Sequence, residues 1–293
     1  MNDPIETFYD LFRGRTDAYG TWEGGCVRTP IHIEAFKRHL YGEELIGIYP
    51  LTDESTVRWG CSDIDVDDYD SAYNLSIAFK VKGVPSFIEK TRRGYHIWVF
   101  ADDWVPAPIM RRAFLAAHEA VQVPAKEVNP KQEDASGLGN YVRLPYPDGI
   151  NGIPENRYML NELERPIPLQ DFLDTASFNR VTVHMLEPLA LMYKPRTVRR
   201  YVSTYATADV KSALRKGNAL VYYIWKNGPS EKFDRSNTLV RLAHKCQESG
   251  MNADNAFIVV TDADKRWGKF HQRPDGQEQI EKIISIAYPE EGQ

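Results

Sequence analysis

VRWGCSDIDVDDYD, residues 57–70, runs from an apolar strand into a stretch with five carboxylates in the eight positions from Asp63 to Asp70. Side chains alternate along a strand, so Asp63, Asp65 and Asp67 fall on one face while Ile64 and Val66 fall on the other. Carboxylates crowded on one face stay ionised together only beside cations, and hard divalent ions such as Mg2+ or Mn2+ take oxygen ligands of this kind. The plainer reading of a lone DxD is an acidic strand end facing water, or a helix cap. Asp67, Asp68 and Asp70 fit that plainer reading. They stand at the strand exit and in the first turn of the next segment, where acids suit a helix dipole.

Working outward, DYDSAYNLSIAFKVKG places Tyr69, Ala72, Tyr73, Leu75, Ala78 and Phe79 at helical spacing and ends at Gly83, a C-cap residue. PSFIEKT and GYHIWVFA read as two short strands joined by the basic turn RRG. PIMRRAFLAAHEAV, from Pro108, reads as a second amphipathic helix, and EVNPK (127–131) and YVRLPY (141–146) as further short strands. LIGIYPL (45–51) is a strand before the set. From Val57 to Lys131 the order is βαββαβ. This predicts an α+β fold, an RRM-like, palm-type sheet with two helices on one face and the other face free to hold a site.

After Pro168 the texture changes. LQDFLDTASF (169–178) is a short helix, and a basic cluster of Lys194, Arg196, Arg199 and Arg200 follows. The expected division is a catalytic domain over 1–190, a basic linker over 191–208 and an all-α bundle over 209–293. In the bundle, DVKSALRKGNALVYYIWKN (209–227) is read as the first of four helices. From Lys194 onward 17 Lys and Arg stand against 12 Asp and Glu, a balance of +5, and residues 1–193 hold 19 against 29, a balance of −10. An acidic front with a basic back suits a metal-binding domain joined to one that meets phosphates.

The chain has no run of 18 apolar residues and no secretory signal at MNDPIETFYD. Its three cysteines (26, 61 and 246) lack CxxC spacing, which argues for a reducing cytoplasm and against a cysteine zinc site.

Two further stretches carry chemistry. In KTRRGYHIWVF (90–100), Gly94 and His96 begin a strand that should neighbour the DxD strand, with Lys90, Arg92 and Arg93 around the preceding turn. A histidine there donates to a phosphate oxygen and the basic residues add charge, although alone His96 reads equally well as a half-buried strand residue. In EVNPKQ and GNYVRLP (127–132 and 139–145), Glu127 offers another carboxylate and Lys131 and Arg143 positive charge, each also readable as surface charge on an edge strand. No Walker motif, GxGxxG, HExxH or GxSxG competes.

A strand ending in Asp63-Ile64-Asp65, then Gly94-Tyr95-His96, then Glu127 to Gln132 and Gly139-Asn140-Tyr141-Val142-Arg143-Leu144-Pro145, resembles the archaeo-eukaryotic primase superfamily. The likeness is best to the primase-polymerases of phages, plasmids and mobile elements, over about 57–145. The helical tail is similar, more loosely, to the helix-bundle domains that follow such catalytic domains. Within these 293 residues the zinc module of some relatives and a helicase motor are not found, and a longer parent chain carrying the motor stays an open alternative.

The resemblance implies a DNA-dependent nucleotidyltransferase that makes primers on single-stranded DNA and extends them. Asp63, Asp65 and Glu127 would hold two Mg2+ or Mn2+ ions, with Asp134 the rival for the third acid, and no zinc is expected. His96 would contact the phosphates of an incoming NTP or dNTP, with Gly94 beside it and Lys90, Arg92 or Arg93 assisting. Asn140, Lys131 and Arg143 would lie on the nucleotide or template side. Lys194, Arg196, Arg199, Arg200, Arg235, Lys265 and Arg266 would grip the DNA template, and a replicative helicase, fused or separate, would be the partner.

Aromatics such as Tyr222, Tyr223, Trp225 and Trp267 would stack on bases or, for at least half of them, fill the bundle core. The implied setting is the cytoplasm of a bacterium or archaeon, or a phage-encoded protein. Three other functions compete: a primer-dependent polymerase, a non-catalytic single-strand-binding initiator, and a metal-dependent nuclease.

Overall fold

The computed structural model describes residues 3–64, 67–194, 201, 207–229 and 235–289. Asp65, Arg196, Arg199 and Arg200 lie outside the described residues. The chain divides into two compact units, Met1–Lys194 and Pro195–Gln293.

In chain order the first unit contains α1 (Pro4–Phe12), β1 (Tyr19–Thr21), β2 (Cys26–Val27), α2 (Ile33–Leu40), β3 (Ile46–Ile48), β4 (Thr56–Ile64), α3 (Tyr69–Val81), β5 (Phe87–Lys90) and β6 (Tyr95–Pro106). It continues with α4 (Ala107–Val121), β7 (Glu127–Asn129), β8 (Val142–Arg143), β9 (Tyr158–Leu160), α5 (Leu169–Phe178) and α6 (Val183–Ala190).

The segment from β4 to β7 is the βαββαβ unit. Its strands lie in the order β7-β4-β6-β5, with β9 added at the β5 edge, and all neighbours are antiparallel. The stretch YVRLPY does not join this sheet. Its strand β8 pairs with β3 in a second antiparallel sheet, β2-β1-β3-β8, and Leu144 extends the pairing by donating its N–H to the Ile46 carbonyl.

Alternation along β4 sorts its side chains as the period of two requires. Ile64 packs with Leu75 and Phe79 of α3, Phe114 of α4, Leu186 of α6, and Ile97 and Val99 of β6 in one core. Asp68 caps α3 by accepting the Ser71 N–H, and Asp70 stands in its first turn. The helix ends with Gly83 at φ +73°.

The other face of the sheet is not free along its length. Trp59, Cys61, Trp98 and Phe100 form a second core with Phe8 and Phe12 of α1, Phe36 of α2 and Phe172 of α5. Burying each such aromatic ring stabilises the fold by about 1.5–3 kcal/mol, so a face this rich in them is covered. Its cover is the N-terminal segment, in which the sequence reading placed no element, together with α5. The entry to α1 is nonetheless legible, since Asp3 accepts the Ile5 N–H and Pro4 follows at the first helical position. What stays open is the end of the sheet that bears Asp63, His96 and Glu127.

The second unit contains α7 (Thr207–Leu214), α8 (Ala219–Asn227), α9 (Arg235–Glu248), α10 (Ala253–Trp267) and α11 (Gly276–Ala287) around a core that includes Leu239, Leu242, Phe257 and Ile284. Residues 209–227 are thus two helices, not one. Asn218 accepts the N–H groups of Leu220 and Val221 and starts α8 afresh after Gly217.

Candidate nucleotide site

The register of the large sheet lines up four polar side chains. Glu127 pairs with Asp63, Asp63 with His96, and His96 with Glu89, so one row crosses β7, β4, β6 and β5 on a single face. The row borders a groove of about 850 Å³, which Asp63, His96 and Glu127 line. The opposite wall includes Trp22 from the β1–β2 turn, Tyr49, Tyr141 and Arg143. The Tyr141 ring reaches that wall because β1 and β3 carry glycine beneath it. A Cβ on Gly20 or Gly47 would stand 2.3 or 2.4 Å from the ring.

Glu89 is wholly buried. One of its oxygens accepts from Trp98 Nε1 at 2.7 Å and meets His96 Nδ1 at 3.0 Å, while the other meets Arg157 Nη2 at 2.8 Å. Burial pushes the Glu89 carboxyl up, but Arg157, His96 and Trp98 outweigh it and hold the group below its ordinary value. A carboxylate on Nδ1 fixes the ring plane and leaves Nε2 facing the groove, 3.7 Å from an Asp63 oxygen.

Arg157 is itself pinned. It adopts φ +67°, donates Nε to the Leu144 carbonyl and Nη2 to the Arg143 carbonyl, and its backbone bridges Lys90 and Tyr146. A buried arginine in the left-handed region is held by its surroundings rather than by its own preference.

Glu127 accepts from Asn140 Nδ2 at 2.9 Å, which ties the loop before β8 to the acidic row. Arg143 donates to the Trp22 carbonyl at 2.6 Å with its guanidinium 5.3 Å from the Trp22 ring centroid. Arg92 and Arg93 are exposed residues of the turn before β6 and line the groove. Asn129, two residues along β7 from Glu127, is buried in the lining with its Oδ1 unpartnered. Cys61 also lines the groove, and burial pushes its thiol well above its ordinary value, so it is no nucleophile there.

Other sequence-chosen residues stand elsewhere. Lys90 pairs across the strands with Tyr95 and so points to the face away from Glu89 and His96; its ammonium meets Asp67 and sits 4.3 Å from the Tyr95 ring centroid. Gly94 is outside the lining and closes the turn by donating to Thr91 Oγ1. Lys131 and Asp134 are exposed and outside the lining, and Asp134 accepts the Ser136 N–H instead.

In the second unit Arg235 donates to the carbonyls of Trp267 and Gly268 at the end of α10. Arg266 donates to the Trp225 carbonyl and lies 4.1 Å from the centroid of that indole. Both serve the helical fold in these contacts. Lys194, Lys265, Tyr222 and Tyr223 are exposed, whereas Trp225 and Trp267 pack against the helical core.

Among the described residues no three His, Cys, Asp or Glu side chains are grouped for a metal ion. The donors at the row, two carboxylates in adjacent register beside a buried amide oxygen without a partner, fit a hard divalent cation.

Residues 27–152 match a family model described as "TOTE conflict system, Archaeo-Eukaryotic Primase domain". This segment belongs to the archaeo-eukaryotic primase superfamily. The primase segment includes Asp63, Glu89, His96, Glu127 and Arg143, while Trp22 and Arg157 come from outside it. No curated protein matches the chain. Among solved structures the chain is similar to the crystal structure of primase RepB', at 12% identity over 98% of this chain and 93% of that one, with a TM-score of 0.32, a likeness that carries no argument.

Proposed function

We propose that the chain is a primase-polymerase that starts and extends strands on single-stranded DNA by nucleotidyl transfer from NTPs or dNTPs. The observation that carries this reading is the row Glu127–Asp63–His96–Glu89, in a groove of a primase-superfamily segment. Asp63 and Glu127, with Asp65 from the adjoining stretch, would hold Mg2+ or Mn2+. When bound, such ions activate a 3′-hydroxyl and stabilise the departing pyrophosphate.

The chain's own groups do the rest. His96, with Nδ1 held by anionic Glu89, presents Nε2 to a phosphate oxygen, and as imidazolium it donates there. Arg92, Arg93 and Arg143 supply positive charge along the groove, and Arg157 keeps Glu89 ionised and in place. Asn140 orients Glu127. No side chain acts as a nucleophile: the Cys61 thiol is buried, and Ser62, hydrogen-bonded to His118 Nε2 at 2.6 Å, is buried outside the groove lining. The second unit, with exposed Lys265, Tyr222 and Tyr223, would grip the template by charge and stacking.

The test is primer synthesis on unprimed single-stranded DNA with Mg2+ or Mn2+, for the intact chain and for a chain ending near residue 205. The intact chain should give short products, and the shortened chain should extend a supplied primer without starting one. DNA binding with neither synthesis nor extension would contradict the reading and favour a binding-only initiator.

A further inference from the structure

At the end of β4 remote from Asp63 stands a second cluster of charge that the proposed chemistry does not use. Between the pairs Val57↔Val105 and Trp59↔Phe100, β4 has the single residue Arg58 while β6 has four, Ala101 to Trp104. A bulge of this size re-aims side chains, and it sets Asp103 and Trp104 beside Arg58. The bulge is held from behind. Ala101 bridges Val181, Asp102 donates to the Val181 carbonyl, and Val181 donates to Phe100, which fixes Arg180 next to them. Trp59 Nε1 donates to the carbonyls of Phe12 and Arg13 and fixes the end of α1.

Three arginines therefore converge from three elements on one carboxylate. Asp10 meets Arg13 at 3.1 Å and Arg58 at 3.3 Å, and also pairs with Arg180. Asp103, 3.8 Å from Arg58, is the second acid, and it is largely exposed. Three guanidiniums against two carboxylates leave a net charge of +1. Arg58 is only 5% exposed, yet its Nε–H has no partner, and neither have those of Arg13 and Arg180. Burial draws the Arg58 guanidinium below its ordinary value, Asp10 works against this, and Arg13 and Arg180 add to it. A partly buried cluster with excess positive charge attracts an anion. Planar guanidiniums match the paired oxygens of a phosphate.

Trp104 selects among phosphates. Its ring is 37% exposed, with Arg13 and Arg58 at 5.7 and 5.9 Å from its centroid. Phe178, 90% exposed, lies two residues before Arg180. Open aromatic faces beside guanidiniums suit a nucleobase attached to its phosphate.

We propose that Arg13, Arg58, Arg180 and Trp104 form a second phosphate-recognition site on the first unit. It takes one nucleotide of a single strand, with the phosphate against the guanidiniums and the base on the indole. The choice of a nucleic-acid strand rests on the priming function proposed above, whereas the anion chemistry does not. Arg58 is five residues from Asp63 along β4, about 16 Å at strand spacing, so a strand of a few nucleotides can touch both sites.

The test uses the full chain and labelled oligothymidylate, with polarisation followed across a salt series. Trp104→Ala should weaken binding about tenfold with an unchanged salt slope. Arg13→Gln should lower that slope by about one counterion. Asp103→Asn, on an exposed side chain, should tighten binding, a direction that misfolding does not produce.

The source of the phosphate is read from the Trp104 indole N–H resonance, identified with Trp104→Phe. It should move with oligothymidylate and not with inorganic phosphate, thymidine monophosphate or a glutamate-rich peptide. Movement with any of these three at the same concentration overturns the assignment to a strand. A still resonance while the chain binds oligothymidylate and makes primers overturns the site alone. If the intact chain binds no oligothymidylate, the site and the priming function fall together.

Discussion

The two ends of β4 carry opposite charge and are built in opposite ways. At Asp63 the acids come from neighbouring strands, and the sheet's own register lines them up with His96. At Arg58 the guanidiniums come from the residue that follows α1, from β4 and from the segment after α5, and loop hydrogen bonds bring them together. At the Arg58 end three guanidiniums face two carboxylates, and at the Asp63 end two carboxylates stand in adjacent register beside a buried amide oxygen; such clusters are where ligands are expected. The comparison teaches that a site assembled by strand pairing is written locally, while a site assembled by loops is written across the whole chain.

The largest effect is expected at the acidic end. Glu127→Ala removes one of the two described carboxylates proposed to hold the cations, and steady-state nucleotidyl transfer should fall at least a hundredfold, since a metal clamp is worth several kcal/mol.

The next pair of variants separates the two ends by burial. Glu89→Ala strands Arg157 among buried groups and should cost about 3–5 kcal/mol of stability in urea unfolding. Asp10→Ala should cost only about 1 kcal/mol, because water reaches the Asp10 cluster. Equal costs would break the contrast.

Acid should weaken the wall behind the groove. His39 donates Nε2–H to the Pro145 carbonyl at 2.9 Å and accepts the Ile46 N–H on Nδ1, so the folded ring is neutral. Burial pulls it down from 6.5 to about 4, with the Pro145 hydrogen bond opposing. The unfolded chain takes up the proton first, so stability present above pH 6.5 is lost as the pH falls from 6.5 to about 4. The loss should be on the order of 3 kcal/mol, and unfolding of His39→Gln should show a flatter pH profile. The smallest effect is at the cap of α3, where Asp68→Ala should cost about 1 kcal/mol and leave nucleotidyl transfer unchanged.

Much of the acidic end was legible in the sequence. A period of two put Asp63 opposite Ile64, and the turn RRG set the register that pairs His96 with its neighbours. The same turn, read one step further, pairs Lys90 with Tyr95 and Glu89 with His96. It therefore already held the sign that Lys90 points away and that an acid backs the histidine. Arg157 had no such local sign, because it reaches Glu89 from a loop 68 positions later through a left-handed backbone. The covering of the sheet's second face was missed because the N-terminal segment was given no elements, although Trp59, Trp98 and Phe100 all needed burial. The break at Gly217–Asn218 was missed because apolar spacing carries through it, and only the cap chemistry marks it.

The most direct measurement is pyrophosphate release from a primed single-stranded template, comparing the intact chain with Asp63→Asn and Asp70→Asn. Both variants remove one negative charge from the stretch 63–70 at constant size, but only Asp63 lies in the row across the sheet. Loss of release with Asp63→Asn and its retention with Asp70→Asn is the predicted result. Equal release from the two variants would contradict a cation site at the row.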